Sequence, residues 1–593
     1  MKLYKLSLIF IVYCFLTAPH SFAQKTKPNV IIIMTDDMGN NLGNLGNPWL
    51  KTPNIDKLSE ESVLLTNFHQ DLLCTPSRAS LMTGKYSLRT GAWRTSLGRS
   101  NMRPEEITVA EVFQTNGYRT GSFGKWHLGD VWPFRSIDQG FEEAVNLNCG
   151  GIGQVSDYWG NDYFDDVYYH NGKPQQYKGY CTDVFFDETI RFIKECTIAQ
   201  EPFLIYLAPN VAHLPRIVEE KYSKPFLEKG HDKNQAIFYG MIQNLDENFG
   251  QLTKTLKELD LEDNTIIIFT TDDGTAAYAA QFDKDGWPLN SGFNMGQRGG
   301  KGSSYEGGHR LFFYIKWIGG KLEGGQKIDE LTSVMDVFPT LIDLCDIQSE
   351  SKIDFDGNSI KNLLYGEVAK ERTLVFSKLT PNKPDNFKRN KFCVAQGDWR
   401  WVDRKELYNV KKDREQRNNL TDKYPDIVQH LESKLNVFLQ KNAQDRETAV
   451  RFILGDEQKK SITLTTQDLW VKSAFNQSHV KKLSNGSGSW KVDFVQTGTY
   501  KFTLSRFPLY TNLPFNEKVN GKRSKSFTPT HAKISINNKE YEAFVGATDT
   551  NVFFELEIEK GAADIETWIF SKEGIIIPSY FLEVELINGI NNT

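Results

Sequence analysis

Two pairs of adjacent carboxylates, Asp36-Asp37 and Asp272-Asp273, each follow directly on a short apolar run. Neighbouring carboxylates repel one another unless a cation or solvent screens them. A single pair is also a reasonable helix N-cap, since Asp favours that position. Two pairs at the ends of two buried strands, facing one crevice, instead make an all-oxygen cation site, and oxygen ligands favour calcium or magnesium over zinc. The third feature is the run from Cys74 to Gly84, which includes Pro76, Ser77, Arg78, Leu81 and Thr83. Pro76 suits the first turn of a helix, so Cys74 falls at or just before a helix N-terminus. That position favours negative charge and is expected to lower a thiol pKa. Arg78 comes one helical turn later, on the same face. These residues describe a cysteine in an electropositive place. A cysteine nucleophile is one explanation, and the residues alone do not name a reaction.

The elements that must position these side chains are short and apolar. Asn29 to Met34, Pro202 to Leu207 and Asn264 to Thr270 read as strands buried on both faces. Thr108 to Asn116, Asp183 to Cys196 and Ala236 to Leu259 read as helices between them. That alternation predicts an α/β unit, a mostly parallel sheet with helices on both faces, whose ligands sit beyond the carboxyl ends of the strands. Past about Leu364, shorter strands run from Thr373 to Trp401, interrupted by a loop from Pro381 to Asn390, and Tyr424 to Lys441 reads as an amphipathic helix. These make a small α+β subdomain. From about Ile462 alternating strands dominate: Trp490 to Phe494, Thr499 to Leu504, Ala532 to Ile536 and Phe581 to Leu586. They suggest a β-sandwich module. The expected division is a signal peptide over 1–23, a catalytic domain over 24–370, the α+β subdomain over 371–450 and the sandwich over 451–593.

The run Cys74-Thr75-Pro76-Ser77-Arg78, followed by Leu81-Met82-Thr83-Gly84, closely resembles the signature of the formylglycine-dependent sulfatases. In that family the cysteine is converted enzymatically to an aldehyde whose hydrate is the nucleophile. Pro28 to Gly39 resembles the family's opening strand and metal pair, Gly124 to Gly129 its lysine–histidine motif, and Arg298 to Arg310 its second lysine motif. Glu406 to Asn409, with Asn419 and Leu420, resembles its closing subdomain. The likeness covers about Lys27 to Lys441 and implies the alkaline-phosphatase-like fold.

Carried over residue by residue, the resemblance implies that Asp36, Asp37, Asp272 and Asp273 bind calcium with Cys74, itself modified to 3-oxoalanine (formylglycine). The metal would polarise a sulfate oxygen and favour the ionised nucleophile. Arg78 would hold the hydrate. Lys125 and Lys301 would bind sulfate oxygens and stabilise the charge that develops in transfer. His127 would assist the hydrate and take its proton when it collapses, and His213 would protonate the leaving alcohol. His309 and Arg310, close behind Lys301, are placed with the substrate-binding residues. The chain departs from the family pattern twice. Ala212 stands where Pro usually precedes the leaving-group histidine, and Asp273 stands where the second metal pair commonly has Asn.

At 593 residues, 39% hydrophobic and 24% charged, the chain suits a soluble globular protein of two or three domains. A net charge of −5 with mixed signs and no basic stripe argues against a nucleic-acid partner. Lys2 and Lys5 precede an apolar run from Leu6 to Leu16, and Ser21-Phe22-Ala23 then offers a cut after Ala23. That run is shorter than the ~20 residues of a spanning helix. The mature chain is therefore expected to be exported, periplasmic or secreted, with no transmembrane segment. Six cysteines then remain (Cys74, Cys149, Cys181, Cys196, Cys345 and Cys393), with no CxxC and no spacing that names pairs. Gly150 to Tyr180, rich in Gly, Asp, Tyr and Trp, is expected either to line a sugar subsite or to pack over the domain edge. The partners implied are a sulfated glycan, an algal or host polysaccharide or its oligosaccharides, and a formylglycine-generating maturation enzyme. The alternatives are a phosphate or phosphonate monoester hydrolase of the same superfamily, and an inactive sulfatase-like protein that binds glycan.

Overall fold

Residues 27–589, except 277–281, 290–291, 350–351, 369, 382–389 and 519–525, are described by the structure, a computed structural model. The segment read as a signal peptide, with Cys14, and most of the Pro381–Asn390 loop lie outside the described residues.

The N-terminal two-thirds is built on an eleven-stranded sheet. Its strands are β1 (Asn29–Thr35), β2 (Val63–His69), β3 (Arg119–Lys125), β4 (Glu143–Leu147), β5 (Val167–His170), β6 (Lys173–Gln176), β7 (Phe203–Ala208), β8 (Thr265–Thr271), β9 (Arg310–Lys316), β10 (Lys327–Ile328) and β11 (Thr332–Ser333). The order is β10-β2-β9-β8-β1-β7-β3-β4-β5-β6, with β11 also on β2. The centre, β8-β1-β7-β3-β4, is parallel, and β9 runs antiparallel to both β8 and β2. Every residue of β1, β7 and β8 is buried. Successive side chains serve opposite faces: Ile31 and Ile33 join the core under the helices Cys181–Ala199 and Lys233–Glu258, while Val30, Ile32 and Met34 join the one under Cys74–Thr83, Val109–Thr115 and Val337–Cys345. The expected mixed, mostly parallel sheet between helical layers is therefore the observed fold.

A second, antiparallel sheet follows: β12 (Thr373–Lys378), β13 (Lys391–Gln396), β14 (Trp399–Val402) and β15 (Glu406–Asn409). The helix Pro425–Lys441 packs Leu431, Leu435 and Phe438 against Val394 and Trp401 of this sheet. From Phe452 to Gly589 two further sheets share one core around the fully buried Trp490, whose Nε1 donates to the Thr465 carbonyl at 2.7 Å. Phe134 and Val155, from the first unit, enter the same core. The segment Gly150–Tyr180 supplies much of that contact. Tyr158 stacks on Tyr510 with ring centroids 4.7 Å apart, and Trp159 meets Phe507 edge-on. Of its two expected uses, packing accounts for these aromatics. All six described cysteines are free and buried, and no helix among the described residues is long and apolar enough to cross a membrane.

Ile31 is fully buried in the centre of the sheet, whereas Val437 is 61% exposed. Ile31→Ala is expected to cost about 2–5 kcal/mol by loss of contacts and cavity formation. Val437→Ala should stay within about 0.5 kcal/mol. Differential scanning calorimetry of both variants checks this ordering.

Candidate active site

Parallel pairing of β1 with β8 aligns Thr35 with Thr271. The residues that follow, Asp36-Asp37 and Asp272-Asp273, therefore emerge side by side at the carboxyl ends of the two strands. Beside β1, β7 leads to His213, and next to β7, β3 ends on Lys125. The helix Cys74–Thr83 begins at Cys74 itself, and Lys301 comes from the loop before β9. Asp37 and His127 both have φ of 59°, a left-handed conformation that bulky residues seldom adopt and that collects at functional sites.

Each of three cations takes one carboxylate. Arg78 donates from Nε and Nη2 to Asp272 Oδ2 at 3.1 and 2.6 Å, and from Nη1 to the Lys125 carbonyl and the Tyr206 hydroxyl. Lys125 Nζ donates to Asp36 Oδ2 at 2.7 Å, both side chains being fully buried. Lys301 donates to Asp37 Oδ1 and lies 3.5 Å from Asp273 Oδ2. Burial alone would raise Asp36 and Asp37, but Lys125 and Lys301 respectively, with His213, hold both below the ordinary carboxylate value. Asp273 is different. Burial pushes it well above that value, against the pull of Lys301 and with Asp37 and Asp272 adding to the rise.

Four carboxylates thus face three cations, and the remainder is visible as unpaired atoms. Asp36 Oδ1 and both oxygens of Asp273 are buried with no hydrogen-bond partner among the described residues. Ligand atoms of Asp36, Cys74 and Asp272, and of Asp37, Asp272 and Asp273, lie within 4.8 Å of one another. An oxygen-rich, partly unpaired set of this kind fits a hard divalent cation.

Cys74 Sγ lies 3.5 Å from His127 Nδ1, and His127 Nε2 is 3.3 Å from the Thr95 carbonyl. Burial drives His127 well below its ordinary value, and Lys125 and Arg78 push the same way. The structure corrects the expectation that its helix end would acidify Cys74. Burial raises the thiol, Asp272 and Asp36 add to the rise, and Lys125 and Lys301 only partly offset it. Arg78 is committed to Asp272 rather than to the sulfur. His213 Nδ1 is 2.6 Å from the Leu214 carbonyl, and its Nε2 faces Asp37 Oδ2 at 4.0 Å. Burial lowers His213, with Asp36 and Asp37 opposing.

The site brings together Asp36, Asp37, Cys74, Arg78, Lys125, His127, His213, Asp272, Asp273 and Lys301. It does not include His309 or Arg310, and their placement with substrate is corrected. The His309 ring is fully buried, with Nδ1 2.8 Å from His69 Nδ1 and Nε2 3.2 Å from the Ser304 carbonyl. Arg310 is spent on the Thr66 carbonyl, Glu306 and Asp329. Glu306, also held by Arg400 at 2.8 Å, sits far below the usual range: burial would raise it, but Arg400, His69 and Arg310 outweigh that. With both arginines already on Glu306 and the two rings sharing a hydrogen bond, this is a closed polar network and not a cation site.

Residue types alone missed three contributors. Tyr206 looks like any apolar-strand residue, yet its hydroxyl receives Arg78 at 2.7 Å. Gly150 and Gly151 lie flat beneath the two histidines: a Cβ on Gly150 would strike the His127 ring, and one on Gly151 would come within 2.9 Å of His213 Nδ1. The doublet itself was a usable signal, since paired glycines mark close approach. A separate cavity of about 530 Å³ lies between the first unit and the C-terminal sheets. Asp130, Asp157, Asp468 and Glu583 line it, against Arg135 and Lys459, a balance unsuited to an anionic ester.

The sulfatase family model matches residues 28–347. N-acetylgalactosamine-6-sulfatase of Canis lupus familiaris is 30% identical over 373 residues, 59% of this chain and 68% of that protein. Arylsulfatase G of Mus musculus is 29% identical over 396 residues, 60% and 73% of the two chains. Among solved structures, Ps i-CgsB in complex with k-i-k-neocarrahexaose superposes with a TM-score of 0.63 at 24% identity, covering 71% of this chain and 94% of that one.

Burial holds His309 down to about 4, and His69 lies well below 6.5 for the same first reason. Between about pH 6.5 and 4 the unfolded chain therefore binds more protons than the folded one, so stability falls as pH falls through that window. Thermal denaturation across pH 4–7 should show the decline. His309→Gln should remove up to about one proton's worth of slope, about 1.4 kcal/mol per pH unit.

Proposed function

The chain belongs to the sulfatase family and is a sulfuric ester hydrolase, and from that premise we propose that it cleaves sulfate esters on a carbohydrate after Cys74 has been oxidised to formylglycine. The observation that carries this reading is the buried ring of four carboxylates and three cations around Cys74. Asp36, Asp37, Asp272 and Asp273 would hold calcium, with the modified Cys74 as a further oxygen ligand. Such an ion supplies Lewis-acid polarisation of a sulfate oxygen and favours an ionised nucleophile.

The chain's own side chains do the rest. Lys125 and Lys301 flank Cys74 and bind sulfate oxygens as negative charge shifts during transfer. Arg78, fixed by Asp272 and Tyr206, orients the Asp272 carboxylate and offsets local charge. His127, kept neutral, can give its Nε2 proton to the Thr95 carbonyl, which leaves the Nδ1 lone pair facing residue 74 as a base. His213 donates its Nδ1–H to the Leu214 carbonyl, so it acts as the general acid only as the imidazolium, whose second proton, on Nε2 on the side of Asp37, goes to the leaving alcohol. Burial opposes that charged form, and Asp36 and Asp37 favour it. A carbohydrate substrate is supported by the relatives: one is named for N-acetylgalactosamine 6-sulfate and one structural neighbour holds a carrahexaose. Export is supported by Lys2, Lys5, the apolar run to Leu16 and the Ser21–Ala23 cut. The maturation enzyme is then a required partner. We divide the mature chain into a catalytic domain to 370, its subdomain to 450, and a sandwich beyond.

Mass spectrometry of the peptide that contains Cys74 should find the aldehyde or its hydrate in active protein, and Cys74→Ala should lose hydrolysis. Fully active protein with an unmodified thiol sinks the mechanism, and faster turnover of an aryl phosphate than of the matching aryl sulfate sinks the substrate class. His213→Ala should cost about 10²–10⁴ in kcat on a sugar sulfate. The loss should be much smaller on 4-nitrophenyl sulfate, whose leaving group needs no proton.

A further inference from the structure

Two cations beside the site have no carboxylate of their own. Lys378 ends β12, in the small antiparallel sheet, and its ammonium packs against Gly302, where a Cβ would come within 2.6 Å of Nζ. Gly302 directly follows Lys301. Arg94 donates from Nη1 to the carbonyl of Leu379 at 2.9 Å, and its Nε is buried without a partner among the described residues. The next residue, Thr95, is the one whose carbonyl faces His127. Lys378 and Arg94 are both half-buried. Neither makes an ion pair with a described carboxylate, in contrast to Arg78, Lys125 and Lys301. Burial lowers Lys378 from its ordinary value, and Arg94 and then Lys301 act in the same direction, with Asp273 opposing.

Gathering like charges in a half-buried place is unfavourable. It is relieved by an anion that no described residue provides. Asp36, Asp37 and Asp272 are held by Lys125, Lys301 and Arg78, and Asp273 faces the proposed metal site, so no described carboxylate is left for Lys378 and Arg94 and the anion they would take comes with a ligand. It would enter next to the ester sulfate that Lys301 receives.

We propose that Lys378 and Arg94 form a second anion subsite, which holds a further carboxylate or sulfate of the same substrate, so that the preferred substrate is a glycan bearing two neighbouring anionic groups. This rests on the sulfatase reading above and narrows it. Lys378 and Arg94 would then determine specificity without touching the reacting atoms.

The test uses the intact, matured protein and disaccharides sulfated at one ring position, taken over each position in turn, in three forms. The neighbouring sugar is neutral, carries a uronate, or carries a second sulfate. The wild type is expected to favour one of the charged forms over the neutral one by tenfold or more in kcat/KM, and which form it favours identifies the anion. Lys378→Ala and Arg94→Ala should each reduce that ratio about tenfold. Lys378→Arg should restore most of it, and melting curves confirm that all three fold. A wild type that treats charged and neutral forms alike overturns the proposal. So does a variant that loses activity on all forms equally, and in both cases the sulfatase reading stands. Failure of the wild type on every disaccharide, with aryl sulfate still cleaved, overturns the carbohydrate reading and this proposal with it.

Discussion

The in-register pairing of β1 with β8 is the constraint from which the site follows. It sets two Asp-Asp pairs at one level, where none of the four residues is more than 3% exposed. Burying an uncompensated carboxylate is among the costliest things a fold can do. The compensation comes from three separate directions: Arg78 from a helix, Lys125 from the end of β3, and Lys301 from the loop before β9. The loops, the helix start and the strand order all serve to deliver those three cations to one place. They cover three of the four acids. Asp273 is left with Lys301 at 3.5 Å and two unpaired oxygens. Burial raises its pKa well above the ordinary carboxylate value, a rise that the proposed cation would offset.

The same burial determines what Cys74 is. A helix N-terminus near cations ordinarily favours a thiolate, and the first reading of the sequence follows that rule. The acids change the outcome. Removal from water is the largest influence and penalises the thiolate, and Asp272 and Asp36, with oxygens within 4.8 Å of the sulfur, oppose the pull of the lysines. A neutral thiol beside a neutral histidine is a poor nucleophilic pair. The proposed oxidation of Cys74 answers this, because it replaces a thiol that the site suppresses with oxygen ligands that a cation would favour.

Much of this was legible in the sequence. The central strands were readable because full burial leaves an unbroken apolar run, and the acidic pairs because they sit where such runs end. The helix from Cys74 was marked by Pro76 and closed by Gly84 at φ 67°. The misreadings have one origin: a sequence shows the order of charges along the chain and not which way they turn. His309 and Arg310 follow Lys301 closely but turn to Glu306 and His69. Tyr206 and Lys378 carried no local signal, since each acts through a residue far away in the chain.

Other charged residues of the segment that carries Lys301 turn to the small antiparallel sheet, which gives that sheet its place beside the site. From the segment 298–310, Arg298 reaches Glu406 and the Tyr408 hydroxyl, and Glu306 receives Arg400 with both side chains fully buried. Lys378 of the same sheet bears on Gly302. The loop that carries Lys301 is therefore clamped on its outer side by β12, β14 and β15, and Arg298 and Glu306 are consumed in making the clamp. A lysine on an unsupported loop would lose much of its binding energy to ordering. Anchored at both flanks to a second sheet, Lys301 meets Asp37 in a geometry already set. Among the described residues, the subdomain is the one of the two later units whose side chains reach the neighbours of Lys301, and it thus walls that side of the loop.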